Sequence, residues 1–185
     1  MEPRLQTDRL LLRRWREQDL VPFAQMNADP VVMENFPSTL SAAESAALAK
    51  RIEECFAQRG YGLWAVEVPG QAPFIGFVGL WPVRLELPFA PAVEVGWRLA
   101  HDFWGHGYAT EAAEAAIAFG FQEVGLEEVV SYTARVNTRS RRVMERLGMS
   151  RDPTEDFEHP LLPQDSRLRR HVLCRLHRSQ PVYGG

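Results

Sequence analysis

The stretch of the chain densest in possible chemistry is Val93-Glu-Val-Gly-Trp-Arg-Leu-Ala-His-Asp-Phe-Trp-Gly-His-Gly-Tyr-Ala-Thr-Glu-Ala112. Its first residues alternate, with Val93, Val95, Trp97 and Leu99 on one side and Glu94, Gly96 and Arg98 on the other, which predicts a strand. Gly105 and Gly107 follow in a loop, and a helix opens near Tyr108. The first turn of a helix carries unpaired N–H groups and a partial positive charge, so it can hold a phosphate without any basic side chain. Glycine suits such a loop because a Cβ would block close approach and because the turn can require positive φ. A tight strand-to-helix turn with no ligand is the other reading that two glycines allow. Known nucleotide signatures fit poorly: Gly-x-x-x-x-Gly-Lys-Ser/Thr is absent. The run Gly105-His-Gly107-Tyr-Ala-Thr110 has threonine where a dinucleotide fingerprint has its third glycine, and it lies mid-chain rather than on a first strand.

A second cluster is Val136-Asn-Thr-Arg-Ser140, followed by Met144-Glu-Arg-Leu-Gly-Met149. Asn137 or Thr138 is a natural helix cap, and Ser140 falls in the first turn, where it can simply face solvent. Arg139, Arg141, Arg142 and Arg146 crowd the same helix. They form a solvated basic face, or one or two of them present forked donors to a phosphate. Glu94 is the candidate general base and equally a candidate structural hydrogen-bond acceptor; a base acting through water would leave no trace in the sequence. His101, Asp102 and His106 share no helical face and lack nearby partners, so no metal site is expected. Cys55 and Cys174 lie far apart and belong to no Cys/His ligand pattern, and neither is read as a nucleophile. Trp64, Trp81 and Trp97 fall in predicted strands as core or cleft walls, while Trp15 and Trp104 fit either place.

These residues need a frame to hold them. Residues 10–15 read as a first strand. Asp19 is positioned to cap a helix reaching Ala28, with Pro22 tolerated in the first turn and Asp29-Pro30 ending it. Ser41-Ala-Ala-Glu44 is a capping-box pattern for an Ala-rich helix that runs to about Gln58 and stops at Gly60. Apolar runs at 63–68 and 74–81, divided by Pro69-Gly70, read as two strands joined by a turn. A strand at 92–99, a helix at 108–123, a strand at 129–134, a helix at 138–147 ending at Gly148, and a last strand at 168–176 complete the pattern. Helices at both ends of a run of strands imply an α/β or α+β layered domain.

The 185 residues fit one domain, here 1–185, with a core large enough to need neither disulfide nor metal. A net charge of −3 gives no electrostatic case for nucleic acid. Lys50 is the only lysine, so arginine supplies the other basic residues, which a GC-rich genome explains as well as function does. The polar opening resembles no secretory segment, and no apolar run approaches the roughly 18 residues that span a membrane. A cytoplasmic protein with free thiols, in no contact with membrane, is the expectation.

The motifs quoted above, in their order, resemble the GNAT N-acetyltransferases, and among them the branch of the ribosomal-protein N-terminal acetyltransferases RimJ and RimL. Glu94-Val-Gly-Trp97 followed by Gly105-His-Gly107-Tyr-Ala-Thr-Glu111 resembles the family's acetyl-coenzyme A motif. The opening Thr7-Asp-Arg-Leu-Leu-Leu-Arg13 and the closing Arg170-His-Val-Leu-Cys-Arg-Leu176 resemble the branch's first and last strands, so the resemblance covers nearly the whole chain. It implies a mixed, mostly antiparallel central sheet flanked by helices on both faces, and acetyl-CoA as co-substrate with no metal. It places the pyrophosphate on backbone N–H groups of Gly105, Gly107, Tyr108 and Ala109. His106 belongs to the same loop, although its side chain reads as an exposed, variable position. The pantetheine arm would run beside the backbone of Trp97, Arg98 and Leu99, with a strand N–H such as that of Trp97 facing the developing oxyanion. Asn137 would bond the coenzyme, Ser140 would lie near the thioester sulfur, and Arg142 is the arginine we assign to coenzyme phosphate. Asp102 departs from the broader family, which often has Gln or Arg three residues before the first loop glycine. His159, in Phe157-Glu-His-Pro160, resembles a recurrent loop of the branch that lines the acceptor site.

The implied reaction is direct attack of a neutral amine on the thioester, without an acyl-enzyme. An α-amine with pKa near 7.7 is about one-sixth neutral at pH 7, whereas a lysine near 10.4 is neutral about once in 2,500 molecules, a handicap of roughly 4.6 kcal/mol. A protein or peptide N-terminus, or a small amine, is therefore the expected acceptor. The resemblance suggests a monomer or homodimer. A non-catalytic acetyl-CoA binding or sensing module on the same fold is the alternative of a different class, and a nicotinamide oxidoreductase is a further one; coenzyme A rather than NAD as the stabilising ligand would set the last aside.

Overall fold

The computed structural model describes residues 4–83 and 87–179; the polar start at residues 1–3 lies outside them. Its strands are β1 (Leu5–Gln6), β2 (Leu11–Arg13), β3 (Leu63–Val68), β4 (Ala72–Pro82), β5 (Val93–Leu99), β6 (Glu128–Ala134), β7 (Phe157–Glu158) and β8 (Arg170–His177). The helices are α1 (Leu20–Ala28), α2 (Ala42–Arg59), α3 (Tyr108–Phe119) and α4 (Thr138–Arg146). The strands form one sheet in the order β1-β2-β3-β4-β5-β6-β8-β7, antiparallel except where β5 meets β6. Helices cover both faces. On β4, Phe77 meets Phe23 of α1 at 5.9 Å between ring centroids. Leu80, three residues on and so on the opposite face, lies against Gly120 at the end of α3.

Local signals explain the best-formed elements. The capping box of α2 closes in both directions, with the Ser41 side chain accepting from the Glu44 N–H and Glu44 accepting from the Ser41 N–H. The helix stops at Gly60 because that residue takes φ 75°, a conformation that L side chains adopt only at a cost. β3 is buried on both faces apart from Glu67, which fits its continuous apolar run. After Phe119 the backbone widens into a π turn over Gly120–Val124 and ends at Gly125, φ 77°.

Three expectations change. The first strand is shorter than 10–15, and β1, only two residues long, precedes it. Two residues cannot show a period. β7 is equally short and escaped for the same reason. Asp19 occupies the cap position of α1 but makes no capping bond. Its carboxylate instead accepts from Arg13 Nη1 and Nη2 at 2.7 and 2.9 Å and from the Arg16 N–H at 2.7 Å. Arg13 is 5% exposed and also bonds Glu67, so a buried cation claims the carboxylate that would otherwise cap the helix.

Candidate active site

The site follows from one failure of pairing. β5 pairs with β4 from Val93 to Leu99, but with β6 it pairs only at Glu94↔Val130. Beyond that point the two strands part, and the β6-facing backbone edge of residues 96–99 has no strand beside it. A cavity of about 710 Å³ fills the wedge. Gly96, Trp97, Arg98 and Leu99 form one wall and residues 131–134 of β6 the other. A free backbone edge deep in a sheet presents donors and acceptors to an extended ligand as a strand would.

One end of the wedge is the glycine loop. Gly105 and Gly107 both take φ 80°, so both need glycine for backbone reasons. A Cβ on Gly105 would meet no protein atom within 4 Å, so the space before the loop is open. Gly107 is the N-cap of α3 and offers no side chain, which leaves the first N–H groups of the helix uncapped and facing the cavity. The buried Thr110 Oγ1 beside them also has no partner. His106 is the one predicted residue outside the cavity wall: its ring is exposed and stacked on Tyr108 at 5.4 Å. Arg9 clamps the loop, donating to the His106 carbonyl at 3.0 Å, lying 4.9 Å from the Tyr108 ring centroid, and pairing with Glu111 at 2.5 Å. Glu111 also accepts from Thr7 at 2.5 Å, and these bonds hold its pKa below the ordinary range.

The start of α4 forms the flank. Asn137 caps it: Oδ1 accepts from the Ser140 N–H at 3.1 Å, which fixes the amide's orientation. Nδ2 donates to Thr133 Oγ1 at 2.9 Å and to Ser140 Oγ at 3.1 Å. The cap is therefore real, and it also does something a cap need not do. Because Ser140 Oγ accepts from Asn137, its own hydrogen is free to point into the cavity it lines. Arg139, Arg142 and Arg146, spaced three and four residues apart, line the same wall, whereas Arg141 turns away to the Arg135 carbonyl. Arg139 pairs with Glu34 and lies over Trp104. Arg142 and Arg146 pair with no carboxylate among the described residues.

Glu94 stands at the other end. Dense surroundings, with no cationic partner among the described residues, push its carboxyl up to about 8, and a hydrogen bond donated by the Tyr132 hydroxyl only partly opposes that shift. Its remaining exposure is toward the cavity. Burial and the neighbouring Glu94 raise the Tyr132 phenol in turn, so it stays a donor. Around Tyr132 gather Phe89, Phe157 and His171, at 5.4, 5.9 and 6.1 Å between centroids, with His159 at 5.0 Å from His171. Burial lowers the pKa of both histidines. Among the described residues, no cluster of three or more His, Cys, Asp or Glu is arranged to hold a metal ion.

Residues 9–150 match the family model described as "Acetyltransferase (GNAT) domain". The chain belongs to the GNAT acetyltransferases. It is 30% identical over 149 residues to the uncharacterized protein YkkB of Bacillus subtilis, covering 79% of this chain and 84% of that one. Over 95 residues it is 37% identical to the FsC-acetyl coenzyme A-N(2)-transacetylase of Aspergillus fumigatus, covering 49% of this chain and 40% of that one. Among solved structures, Mycobacterium smegmatis RimJ in complex with CoA-disulfide superposes with a TM-score of 0.72 at 20% identity, over 91% of this chain and 82% of that one. The sheet and its helices are those of the acyl-CoA N-acyltransferase fold, and the chain is an acetyl-CoA-dependent N-acetyltransferase.

Read as an acetyltransferase, the sequence had left several residues of the site unassigned. Arg9, Thr7 and Glu111 stood in recognised motifs, but nothing local shows that they meet. Tyr132 and His171 reach Glu94 and His159 only through the crossover from β5 to β6 and the pairing of β7 with β8. No helix among the described residues is long and apolar enough to cross a membrane.

Proposed function

We propose that this GNAT enzyme transfers the acetyl group of acetyl-CoA to an α-amine, with the coenzyme lying along the wedge between β5 and β6. The observation that carries the reading is the free edge of residues 96–99, which runs from the uncapped glycine loop toward Glu94. The site suits the coenzyme. The α3 N–H groups of Tyr108 and Ala109, with the loop backbone at Gly105 and Gly107, would take the pyrophosphate, and Thr110 Oγ1 is a buried atom in want of a partner. His106 would contribute backbone only. Arg142, with Arg146 beside it, would meet the ribose phosphate. The backbone of Trp97, Arg98 and Leu99 would pair with the pantetheine arm.

Acetyl-CoA supplies a thioester carbonyl that a neutral amine attacks directly. Ser140 would donate its free hydrogen toward the sulfur, held in place by Asn137. The strand N–H at Trp97 would face the carbonyl oxygen. Glu94 would receive the amine's proton. Its pKa near 8 suits that role, because an α-ammonium near 7.7–8.0 passes its proton almost without cost. A lysine near 10.4 lies about 2.4 units above, an uphill transfer of roughly 3 kcal/mol. The transacetylase of Aspergillus fumigatus, named for an N(2) acceptor, and the resemblance of the motifs to the branch of N-terminal acetyltransferases support an α-amine. A cytoplasmic setting completes the proposal.

Backbone amide exchange tests the placement. Acetyl-CoA should slow exchange at residues 97–99 and 105–109 and leave β1 to β3 unchanged. Protection confined to other elements would overturn it.

A further inference from the structure

Arg98 sits on the same face of β5 as Glu94 and is one of the residues that line the cavity. It is packed between two aromatic rings, 4.2 Å from the Phe36 centroid and 5.3 Å from that of Phe77. Nη1 donates to Asn27 Oδ1 at 2.7 Å, and Asn27 in turn donates to Ser45 Oγ at 3.0 Å. Nε is buried with no partner. Among the described residues no carboxylate pairs with this arginine. A second buried arginine, Arg13, is given two, Asp19 and Glu67. Burial lowers the Arg98 pKa to about 10. A cation withdrawn from water without a counter-ion is unfavourable, and aromatic faces offset only part of that. The charge is thus available to something that enters the cavity.

The neighbours of Arg98 say which ligand. Asn27 belongs to α1, Phe36 to the connection between α1 and α2, and Phe77 to β4. None comes from the glycine loop or from α4, the elements that would hold the coenzyme. On this side stands one guanidinium among aromatic walls, which suits a monovalent planar carboxylate. Glu94 is four residues away along the strand, roughly 13 Å between Cα atoms at about 3.3 Å per residue, and both side chains can shorten that gap.

We propose that Arg98 recognises a carboxylate on the acceptor, so that the preferred substrates are peptides with a free N-terminus and an acidic side chain within their first three residues. This rests on the α-amine reading above. The amine occupies the Glu94 end while the carboxylate meets Arg98, which fixes the nucleophile's approach.

The test compares lysine-free hexapeptides that differ only by Asp or Glu against Asn or Gln at positions two and three, in a coenzyme-release assay. Wild-type enzyme should favour the acidic peptide at least tenfold in kcat/KM, chiefly through KM. In Arg98→Gln the ratio should collapse to about one, and Arg98→Lys should retain part of it; stabilisation of each variant by acetyl-CoA reports that it is folded. Equal use of acidic and amide peptides by the wild type overturns the proposal without any variant, as does an acid preference that survives in Arg98→Gln or no turnover of any peptide. N-terminally blocked peptides with one lysine, with and without the acid, separate the two claims. If these are the better acceptors the α-amine reading fails, while the acid-to-amide ratio still decides the role of Arg98.

Discussion

The burial that would make Glu94 a usable base also makes it expensive. Its carboxyl ionises near 8 in the fold against 4.5 ordinarily, so between those values the native protein holds a proton that the unfolded chain has released. Stability from this group therefore falls as pH rises from about 4.5 to 8 and levels above that. Glu94→Gln keeps an oxygen for Tyr132 and removes the penalty. Its thermal midpoint relative to wild type should rise by several degrees from pH 5 to pH 8.5; a flat difference would mean that Glu94 is ionised throughout. In catalysis the same substitution should lower kcat/KM for a peptide α-amine by about 100-fold at pH 7 and about 10-fold or less at pH 9, where the amine is already neutral. A defect independent of pH would return Glu94 to a structural role. At Ser140 the expected loss is smaller: Ser140→Ala should lower kcat about 3- to 10-fold with KM little changed, as for a donor that acts on the departing sulfur. A loss confined to coenzyme affinity or to melting temperature would reduce Ser140 to a partner of the Asn137 cap.

The decisive element is the junction of β5, the glycine loop and α3. Gly107→Val places a β-branched side chain at φ 80° on the N-cap of α3. It should weaken acetyl-CoA binding at least 100-fold in calorimetry and lower the melting temperature by several degrees. Near-normal affinity in the folded variant would remove the loop from the coenzyme site. Arg9→Ala releases the clamp to Glu111 and the His106 carbonyl without touching the cap, and should raise the KM for acetyl-CoA about 3- to 10-fold at unchanged kcat. Much of this junction is legible in the sequence, because a strand alternation, two glycines and a helix start are consecutive. The clamp is not, since Arg9 and Glu111 are 102 residues apart and only the pairing of β1 with β2 beside α3 joins them. The Asn137 cap was legible as one of two alternatives. The structure forms the cap through Oδ1, and Nδ2 donates to Ser140 Oγ. Asp19 departs from the cap rule because that rule does not register that Arg13, buried at the end of the preceding strand β2, takes its carboxylate.

Across the whole molecule, the proposed site lies in an interruption of the sheet. The apolar runs announce strands, but no run announces that β5 and β6 share a single paired position and then part. That parting leaves a backbone edge of β5 beside a cavity, and it lets that cavity reach from the α3 cap to the aromatic group around Tyr132. The opposed demands on the two ends follow from their surroundings. The loop end would offer dipoles and arginines to phosphate. The far end offers a carboxyl whose pKa matches an α-amine rather than a lysine. Steady-state acetylation at pH 7 of a lysine-free peptide with a free N-terminus, beside an N-terminally blocked peptide carrying one lysine, tests that match directly. The account predicts a kcat/KM at least 100-fold higher for the free N-terminus; a preference for the blocked lysine peptide would contradict it.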